Sequence, residues 1–367
     1  MPYWKSIHIE RFRRLENLRL EDLGTVNLLV GKNNSGKTSV LEALAVASDP
    51  TNAFNWIDIG RERELKSART PVLEVLNWFF PHKSPRNNGF EGDTAIEGQV
   101  TSGGTLRIDA GYREYRELEI TPAPDEAMES GSEDEEVSEY AALLAVEVKR
   151  LAPDGRVLHT HSSAHEFKGR SYKGPENTPA IFPCQFVSPV SHRTSRQLLA
   201  AVDKIMEDRS KGEVISLMKL LANDVDDIEI RSPQGRGAVV HLHHTGIGHV
   251  PLAMEGDGMR RALAFASAAA LARNGVLLID EIETALHPDA LAGIFRFLVQ
   301  VCRATGVQLF VSTHSLEAVD AMLASVGDDI GDLVAYHLPP RGSALSAYRL
   351  GGKSIHSMRT ESGLDLR

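Results

Sequence analysis

The sequence lacks the features of a secreted, disulfide-stabilised or membrane-inserted protein. Only two of its 367 residues are cysteines, Cys184 and Cys302, which excludes a disulfide framework and is typical of buried, reduced thiols. The opening segment MPYWKSIHIERFRR contains no apolar stretch of the kind found in a signal peptide. The most apolar later stretch lies between Arg261 and Arg273 and is far shorter than the roughly 20 residues that span a bilayer. We therefore expect a cytoplasmic protein with no membrane partner.

The sequence also lacks a basic excess, because its formal net charge is −10. A protein that coats nucleic acid ordinarily carries net positive charge, so any contact with double-stranded DNA has to be local or conditional. Residues 124–139, PDEAMESGSEDEEVSE, predict a disordered acidic loop. Basic residues cluster at three places; each cluster alone is typical of a solvated face, but together they could form a DNA-facing surface. These places are Lys5-Arg11-Arg13-Arg14, His192-Arg193-Arg196 and Arg231-Arg236.

Sustained heptads and internal repeats are absent as well, which excludes a long coiled coil. Residues 1–50 and 181–367 instead predict an α/β head with a mostly parallel sheet and an antiparallel β lobe. Residues 51–180 predict an α+β insertion with one or two helices, antiparallel strands and the acidic loop. The expected strands are 7–9, 18–20, 26–30, 95–100, 105–110, 118–120, 143–148, 181–187, 228–231, 238–243, 249–252, 276–279, 308–311 and 333–338; the expected helices are 38–47, 71–80, 195–206, 213–221, 258–272, 288–303 and 316–324.

The strongest motif follows the strand expected at 26–30 and reads GKNNSGKT. It matches G-x-x-x-x-G-K-[ST], in which glycines let backbone N–H groups surround phosphate oxygens and the next helix adds its positive dipole end. Lys37 would reach the β- and γ-phosphates of ATP, and the Thr38 hydroxyl would bind Mg²⁺. The expected nucleotide contacts are Gly31, Asn33, Asn34, Ser35, Gly36, Lys37, Thr38 and Ser39.

Two further segments supply polar groups that hydrolysis would need. The apolar strand 276–279 delivers Asp280 and Glu281 to its carboxyl end, where ligands bind in parallel sheets. Asp280 would hold Mg²⁺ and Glu281 would activate the attacking water, whereas in another setting this pair could cap the next helix. His314 follows the strand at 308–311 and could sense the γ-phosphate, although a single histidine at a strand end can equally be structural.

Taken together, these motifs resemble the ABC-type ATPase heads of the RecF, SMC and OLD (overcoming lysogenisation defect) proteins. The N-terminal pattern containing LLVGKNNSGKTSVLEAL carries the likeness, and LLIDEIETALHP followed by LFVSTHS is most similar to the OLD-like branch. The resemblance covers roughly residues 1–50 and 180–340. It implies Walker A at 31–38, Walker B at 276–280, Glu281 as the catalytic base, a D-loop at 283–287 and His314 as the switch histidine.

The resemblance also implies that a second subunit completes the ATP site. In such heads a signature loop at the start of a helix points its dipole at the γ-phosphate of the partner's nucleotide. Gly256 and Gly258 lie in the matching segment, but Glu255 stands where many relatives have serine, and a carboxylate facing phosphate is unfavourable. Gln185 is the candidate glutamine-loop contact to Mg²⁺, although a strand glutamine can also be structural. We expect a homodimer or higher homo-oligomer stabilised by ATP.

The sequence leaves three hypotheses for the biological role. An OLD-like ATPase could act as sensor or regulator of a separate effector, a nuclease or toxin, in anti-phage defence or DNA processing. We expect that effector to be another protein, because too few residues follow His314 for the Toprim nuclease domain of many OLD proteins. The alternatives are a RecF-like ATP-gated DNA clamp and a slow ATP-dependent scaffold. His241 and His243 share one face of an expected strand, which is compatible with an ordinary strand or with a metal site.

Overall fold

Two large β-sheets, one antiparallel and one mostly parallel, organise the computed structural model of the chain. The structure describes residues 3–62, 72–81, 90–101, 103–118, 138–167, 170–173, 180–193, 195–207, 209–232, 237–339 and 347–361. Across these ranges, every helix falls short of the length or the apolar character that crossing a membrane would demand.

The antiparallel sheet combines two N-terminal strands with five from the middle of the chain. These are β1 (Trp4–Phe12), β2 (Leu15–Leu20), β4 (Glu91–Val100), β5 (Thr105–Leu118), β6 (Ser138–Leu151), β7 (Val157–Phe167) and β8 (Arg170–Lys173). They pair in the order β2-β1-β4-β5-β6-β7-β8, and every pair is antiparallel. Every second residue of β5 from Leu106 to Tyr112 is buried, because one face of the sheet packs on the core and the other meets solvent.

The mostly parallel sheet contains the strands that precede the predicted site residues. These are β3 (Val26–Val30), β9 (Cys184–Val187), β13 (Val276–Ile279), β14 (Gln308–Thr313), β15 (Leu333–His337) and β16 (Tyr348–Gly351). Their order is β16-β15-β3-β14-β13-β9, and only the β15–β16 pair is antiparallel. Since β3 and β13 flank β14, the carboxyl ends of these three strands meet at one edge of the sheet.

Eight helices and a small sheet complete the described part of the chain. The helices are α1 (Lys37–Ser48), α2 (Ala53–Arg61), α3 (Ser195–Glu207), α4 (Lys211–Met218), α5 (Asp257–Leu271), α6 (Pro288–Thr305), α7 (Leu316–Val326) and α8 (Gly352–Thr360). The small antiparallel sheet contains β10 (Val225–Arg231), β11 (Val239–His244) and β12 (Gly248–Pro251). Short 3₁₀ helices lie at Glu74–Phe79, Ser191–Arg193, Leu252–Met254 and Gly327–Asp332.

The parallel sheet separates two apolar cores. On one face, Leu28, Leu277 and Val311 pack with apolar residues of α3 to α8. On the other face, Leu278 and Phe310 pack with α1 and with the inner face of the antiparallel sheet. Both faces of the parallel sheet are covered, which explains why its central strands are mostly apolar and are buried over their whole length.

A buried glutamine joins the two large sheets. Gln308 opens β14, and its Oε1 accepts hydrogen bonds from the backbone N–H groups of Tyr3 and Trp4, at 2.9 and 2.8 Å. Its Nε2 donates to the carbonyl oxygens of Trp4 and Gly24, both at 2.9 Å. Three of these hydrogen bonds attach the start of β1 to β14, the fourth reaches the residues before β3, and no polar atom of the buried amide lacks a partner.

The mostly parallel sheet and the antiparallel lobe confirm the predicted fold class. The strands of residues 91–173 extend the same sheet as β1 and β2, and the division into head and insertion stays a prediction. Two details were wrong. Residues 71–80 were expected as an α-helix, but the described part contains a 3₁₀ helix at Glu74–Phe79, where Leu73, Leu76 and Phe79 recur every third residue and are buried. The strands expected at 105–110 and 118–120 are one strand, β5, up to Leu118.

Other middle-region predictions were incomplete. Helix α2 and strands β7 and β8 were not predicted. Residues 119–137 lie outside the described residues, so most of the acidic loop expected at 124–139 does too; its last two residues, Ser138 and Glu139, open β6. The sequence of β7, VLHTHSSAHEF, lacks the apolar alternation that would have marked it, because its inner face carries the polar residues Thr160, Ser162 and Glu166.

Candidate functional site

The loop between β3 and α1 has the backbone conformation of a phosphate cradle. Gly31, Asn34 and Gly36 have φ angles of 148°, 65° and 97°, and Gly36 is the N-cap of α1. A Cβ atom at Gly36 would lie 2.7 Å from Leu15 Cδ2, so glycine is required there by space as well as by φ. The loop turns tightly at its glycines and opens directly onto the N-terminus of a 12-residue helix.

Lys37, the first residue of α1, is folded back into this loop. Its Nζ donates hydrogen bonds to the carbonyl oxygens of Gly31 and Lys32, at 2.6 and 2.9 Å, and the side chain is buried. Burial lowers the pKa of Lys37, and the nearby negative charges of Asp280, Glu283 and Glu281 oppose that shift without cancelling it. The ammonium group is thus held at the centre of the loop, close to the acidic residues of the neighbouring strand ends.

A cavity of about 720 Å³ opens beside the loop. Its wall includes all the predicted nucleotide contacts from Asn33 to Ser39, together with Glu281. Gly31 lies beneath the loop, where a Cβ atom would come within 2.9 Å of Ser35 Oγ. The cavity is large enough for a nucleotide-sized ligand.

Four cavity residues were not predicted as nucleotide contacts. Arg13 and Arg14 form the turn between β1 and β2, and Leu15 is the first residue of β2. Trp78, with 58% of its surface exposed, comes from the 3₁₀ helix at Glu74–Phe79. Arg13 is anchored by Glu42 of α1: its Nε lies 2.7 Å from Oε2, and its Nη2 donates to Oε1 at 3.1 Å. Nothing local in the sequence marks these residues as neighbours of the loop. The β1–β2 turn and the 3₁₀ helix meet through a hydrogen bond from the backbone N–H of Arg13 to the carbonyl oxygen of Phe79, at 2.8 Å.

Asp280 and Glu281 follow β13 and are held by Ser312 of the neighbouring strand β14. The Ser312 hydroxyl donates to Asp280 Oδ1, and the backbone N–H of Glu281 donates to Ser312 Oγ at 2.9 Å. Asp280 is buried, whereas Glu281 reaches the cavity wall. Glu281 has a φ of 45°, a left-handed conformation that is strained for a residue with a side chain. Sequence reasoning predicted the two acidic residues but missed the serine.

His314 follows β14 at the same edge. Its backbone N–H donates to Glu283 Oε1 at 2.9 Å, and its ring Nδ1 lies 2.9 Å from the same oxygen. Glu283 belongs to the segment predicted as the D-loop and is largely buried, while the histidine ring is 41% exposed. The structure therefore brings the predicted switch histidine and the turn after Glu281 into direct contact.

Gly256 and Gly258 lie at the N-terminus of α5, as expected for a signature loop. Gly256 is the N-cap, and a Cβ atom at Gly258 would lie 3.2 Å from the carbonyl oxygen of Ala285 in the predicted D-loop. The carboxylate of Glu255 is held by His244, whose Nε2 lies 3.0 Å from Glu255 Oε1. Because this contact engages the carboxylate, it reduces the unfavourable effect that Glu255 would have on a phosphate group.

Asp224 completes the contact at His244, since Nδ1 of the ring lies 3.0 Å from Asp224 Oδ2. Burial disfavours the charged ring, but the hydrogen bonds with Asp224 and Glu255 outweigh that effect and raise the pKa of His244. A histidine between two carboxylates therefore fastens the small sheet to Glu255 of the predicted signature loop.

Gln185 does not lie at the edge where the acidic pair is found. It pairs with Leu277, whereas Val187 pairs with Ile279, so Ser188 rather than Gln185 is level with Asp280. The register gives no support to Gln185 as a Mg²⁺ contact, and that role stays a prediction.

The predicted basic clusters are largely paired with carboxylates. Besides the Arg13–Glu42 pair, the partners are Asp93 for Arg11 at 2.8 Å, Asp257 for Arg193 at 3.5 Å and Glu229 for Arg231 at 3.8 Å. Arg236 and the side chain of Arg196 lie outside the described residues. These pairs neutralise much of the positive charge that a DNA-facing surface would need.

His241 and His243 have separate partners. His241 Nδ1 lies 3.2 Å from the carbonyl oxygen of Val239, while His243 contacts Asp226 and its ring centroid lies 4.6 Å from that of His249. Over the described ranges, no three His, Cys, Asp or Glu side chains are arranged to hold a metal ion.

The residues present fit a magnesium nucleotide. The Ser35 hydroxyl is buried and has no hydrogen-bond partner within the described part of the chain, as expected for a group that waits for a ligand. Thr38 lines the cavity and Asp280 acts electrostatically on Lys37, so a hydroxyl and a carboxylate are both available beside the phosphate cradle. Oxygen atoms of this kind are the protein ligands that Mg²⁺ prefers.

A phosphate cradle at one strand end, an acidic pair at a neighbouring one and an attached antiparallel lobe define an ABC-type P-loop ATPase head. Residues 26–320 match the family described as "AAA domain, putative AbiEii toxin, Type IV TA system", and the chain belongs to this family.

The proteins that are similar to this chain differ in how much of it they match. The ATP/GTP phosphatase of Helicobacter pylori is 21% identical over 338 residues, which cover 87% of each protein. The DNA replication and repair protein RecF of Clostridioides difficile is 48% identical over 44 residues, only 12% of either chain. Among solved structures, an SMC head bound to the C-winged helix domain of ScpA has a TM-score of 0.47 at 14% identity and covers 95% of this chain and 98% of that one.

Proposed function

We propose that this protein binds and hydrolyses ATP at the cavity beside the β3–α1 loop. The observation that carries the proposal is the meeting of the cradle residues and Glu281 on one cavity wall. A phosphate group held by the loop would lie next to a carboxylate able to activate water. The ATP/GTP phosphatase name of the Helicobacter pylori relative supports the same reaction.

Each side chain has a role in this proposal. Lys37 would exchange its two loop carbonyl acceptors for the β- and γ-phosphates. Mg²⁺, held by Thr38 and Asp280, would neutralise phosphate charge. Glu281 would orient and deprotonate water, and His314, supported by Glu283, would contact the γ-phosphate. The exposed face of Trp78 would pack on the base, because aromatic rings stack favourably on nucleobases.

ATP would also join two copies of the chain. The N-terminus of α5 offers backbone N–H groups at Gly256 and Gly258 and belongs to a 15-residue helix. Met254, just before it, is an apolar side chain with 77% of its surface exposed. A second copy that brings this loop to the γ-phosphate would bury the methionine and complete the site.

In the cell, the protein would act as an OLD-like sensor or regulator of a separate effector, a nuclease or toxin, in anti-phage defence or DNA processing. The toxin–antitoxin description of the family supports an effector-linked role. A RecF-like DNA clamp is the second candidate, supported by the short RecF match and opposed by the carboxylate partners of Arg11, Arg13 and Arg193. A slow-turnover oligomeric scaffold is the third.

Steady-state ATP hydrolysis by the purified chain, with and without double-stranded DNA, tests these candidates. We expect turnover that falls by at least about 100-fold in Glu281→Gln while ATP binding persists. Glu207→Gln, the same change at an exposed position on α3, serves as the control. Stimulation by DNA that weakens steeply with salt would favour the clamp, and indifference to DNA would favour the regulator. Bound ATP without turnover would leave only the scaffold.

A further inference from the structure

Arg261 is a completely buried arginine in the second turn of α5, and the predicted function did not use it. Its Nη1 donates to the carbonyl oxygen of Ser188, just after β9, at 2.5 Å. Its Nη2 donates to the carbonyl oxygens of Asp280 and Glu281, just after β13, at 2.7 and 2.9 Å. One guanidinium group therefore ties the carboxyl ends of two neighbouring strands to the helix that begins at the signature loop.

A buried charge in this position is expensive to maintain. Burial lowers the pKa of Arg261 to about 10, although the negative charge of nearby carboxylates, Asp280 first among them, opposes the shift. The guanidinium carbon also lies 4.9 Å above the Phe265 ring centroid, which adds a cation–π contact. An apolar residue could fill the same space but could not donate hydrogen bonds. The planar set of donors on the guanidinium group is therefore what distinguishes arginine at this position.

One of the residues to which the Arg261 guanidinium group donates is Glu281, whose backbone is strained. Glu281 has a φ of 45°, a conformation that persists only where the surroundings determine it. Ser312 accepts the hydrogen bond of its backbone N–H, and Arg261 donates to its carbonyl oxygen. The backbone of Glu281 is thus held on both sides, and its carboxylate reaches the cavity wall.

The third acceptor of Arg261 is itself fixed. Ser188 Oγ donates to Glu62 Oε2 at 2.6 Å, and Ser191 Oγ donates to the same oxygen at 3.0 Å. Glu62 is the C-cap of α2, so the end of that helix holds the segment after β9 to which Arg261 donates. The guanidinium group is therefore anchored independently of Glu281.

We infer that Arg261 is a positioning residue: it keeps Glu281 in its left-handed conformation and so aims the carboxylate at the water that attacks ATP. This inference rests on the proposed hydrolysis through Glu281. It places Arg261 outside ATP binding, because its donors reach backbone carbonyl groups and the described cavity wall does not include it.

The test compares Arg261→Met and Arg261→Lys with the wild type, measuring kcat and, by equilibrium titration of a fluorescent ATP analogue, Kd. We expect kcat to fall by about 100-fold in Arg261→Met, as for other misplaced catalytic groups, with less than a threefold change in Kd. Arg261→Lys keeps the charge without the planar set of donors and should recover only part of kcat. Arg273→Met, the same change at an exposed ion pair with Glu213, should leave both constants unaltered.

A double-mutant cycle distinguishes positioning from general structural support. In the Glu281→Gln background, Arg261→Met should have no further effect on residual turnover, because the carboxylate that it positions is gone. An equal loss in both backgrounds, or unchanged kcat in Arg261→Met with an active wild type, would overturn the inference alone. A wild type that binds the analogue but never hydrolyses ATP would overturn the proposed hydrolysis as well. If Arg261→Met does not fold, Arg261→Lys decides, and a wild-type kcat there refutes the role.

Discussion

Two arginines of this protein, Arg13 and Arg107, lie in contrasting settings: Arg13 is in the β1–β2 turn beside the cavity, and Arg107 is on the outer face of the antiparallel sheet. Beside the cavity, Arg13 is largely buried against a completely buried Glu42, and its guanidinium carbon lies 4.5 Å from the Phe79 ring centroid. On the outer face, Arg107 is 34% exposed and donates to Glu10, Glu97 and Asp109. By number of partners alone, Arg107 would be judged the more important residue.

Burial reverses that judgement. The partners of Arg107, Glu10 and Asp109 above all, raise its pKa by hydrogen bonding, but water can replace each of them when a side chain is removed. Beside the cavity, removing one partner leaves the other charge in a poorly solvated place. The free energy lost in this way is far larger than the net stabilisation that the ion pair provides. The comparison indicates that a single buried ion pair beside the cavity stabilises the protein more than several exposed pairs on the antiparallel sheet.

Glu42→Gln breaks the buried pair and should be the most damaging change to stability. We expect it to lower the free energy of unfolding by about 3 kcal/mol, because Arg13 is left partly buried without its counter-charge. Arg107→Gln should lower it by less than about 1 kcal/mol, despite breaking more ion pairs. Urea unfolding followed by tryptophan fluorescence measures both variants.

Equal losses for the two variants would contradict this comparison, since burial would then not decide the cost. Raising the salt concentration sharpens it. Salt should reduce the small effect of Arg107→Gln and leave that of Glu42→Gln nearly unchanged, because only exposed charges are screened effectively.

Lys37→Met tests how much a buried charge beside the cavity contributes to ATP binding. Lys37 forms charge-assisted hydrogen bonds with the loop carbonyl oxygens, and we expect it to form them with phosphate when ATP binds. Loss of bonds of this kind costs about 1.5 to 3 kcal/mol, so the Kd for ATP should rise by about 10- to 150-fold. Isothermal titration calorimetry measures this constant directly.

Lys204→Met, on the exposed surface of α3, provides the matched change at a position far from the cradle in sequence. It should leave the Kd for ATP unaltered. An unaltered Kd in Lys37→Met would instead show that the backbone N–H groups of the loop bind phosphate without help from the ammonium group.

Local patterns predicted the parts of this site that the chain builds from neighbouring residues. The cradle, its helix and the apolar strand before Asp280 were predicted because glycine spacing and continuous apolar strands are local signals. His314 was placed beside the acidic pair for the same reason, since the carboxyl ends of parallel strands share one edge.

The supporting residues could not be predicted, because their partners are distant in sequence. Arg261 meets Ser188, 73 positions away, and Ser312 meets Asp280, 32 positions away. Trp78 lines the cavity from a 3₁₀ helix that is distant from the loop in sequence. An arginine in an Ala-rich helix was taken as the boundary of an apolar stretch, and nothing in its neighbours shows that its guanidinium group is buried.

His244 gives the smallest expected effect and the one that depends on pH. Its pKa is raised in the folded protein, so the stabilisation from its contacts with Asp224 and Glu255 is complete below the ordinary value of about 6.5 and is lost as pH rises through the folded value. His244→Asn should therefore lower the melting temperature more at pH 6 than at pH 8.5, by roughly 2 °C. Differential scanning fluorimetry at the two pH values measures the difference.

Glu255→Gln sharpens this prediction at the signature loop itself. It removes one of the two carboxylates that favour the charged ring, so the pH dependence of the His244→Asn effect should shrink in the Glu255→Gln background. A dependence of unchanged size would mean that Asp224 alone holds the proton. A larger loss at pH 8.5 than at pH 6 would reverse the sign and show that the neutral ring, packed under the small sheet, is the form that stabilises the loop.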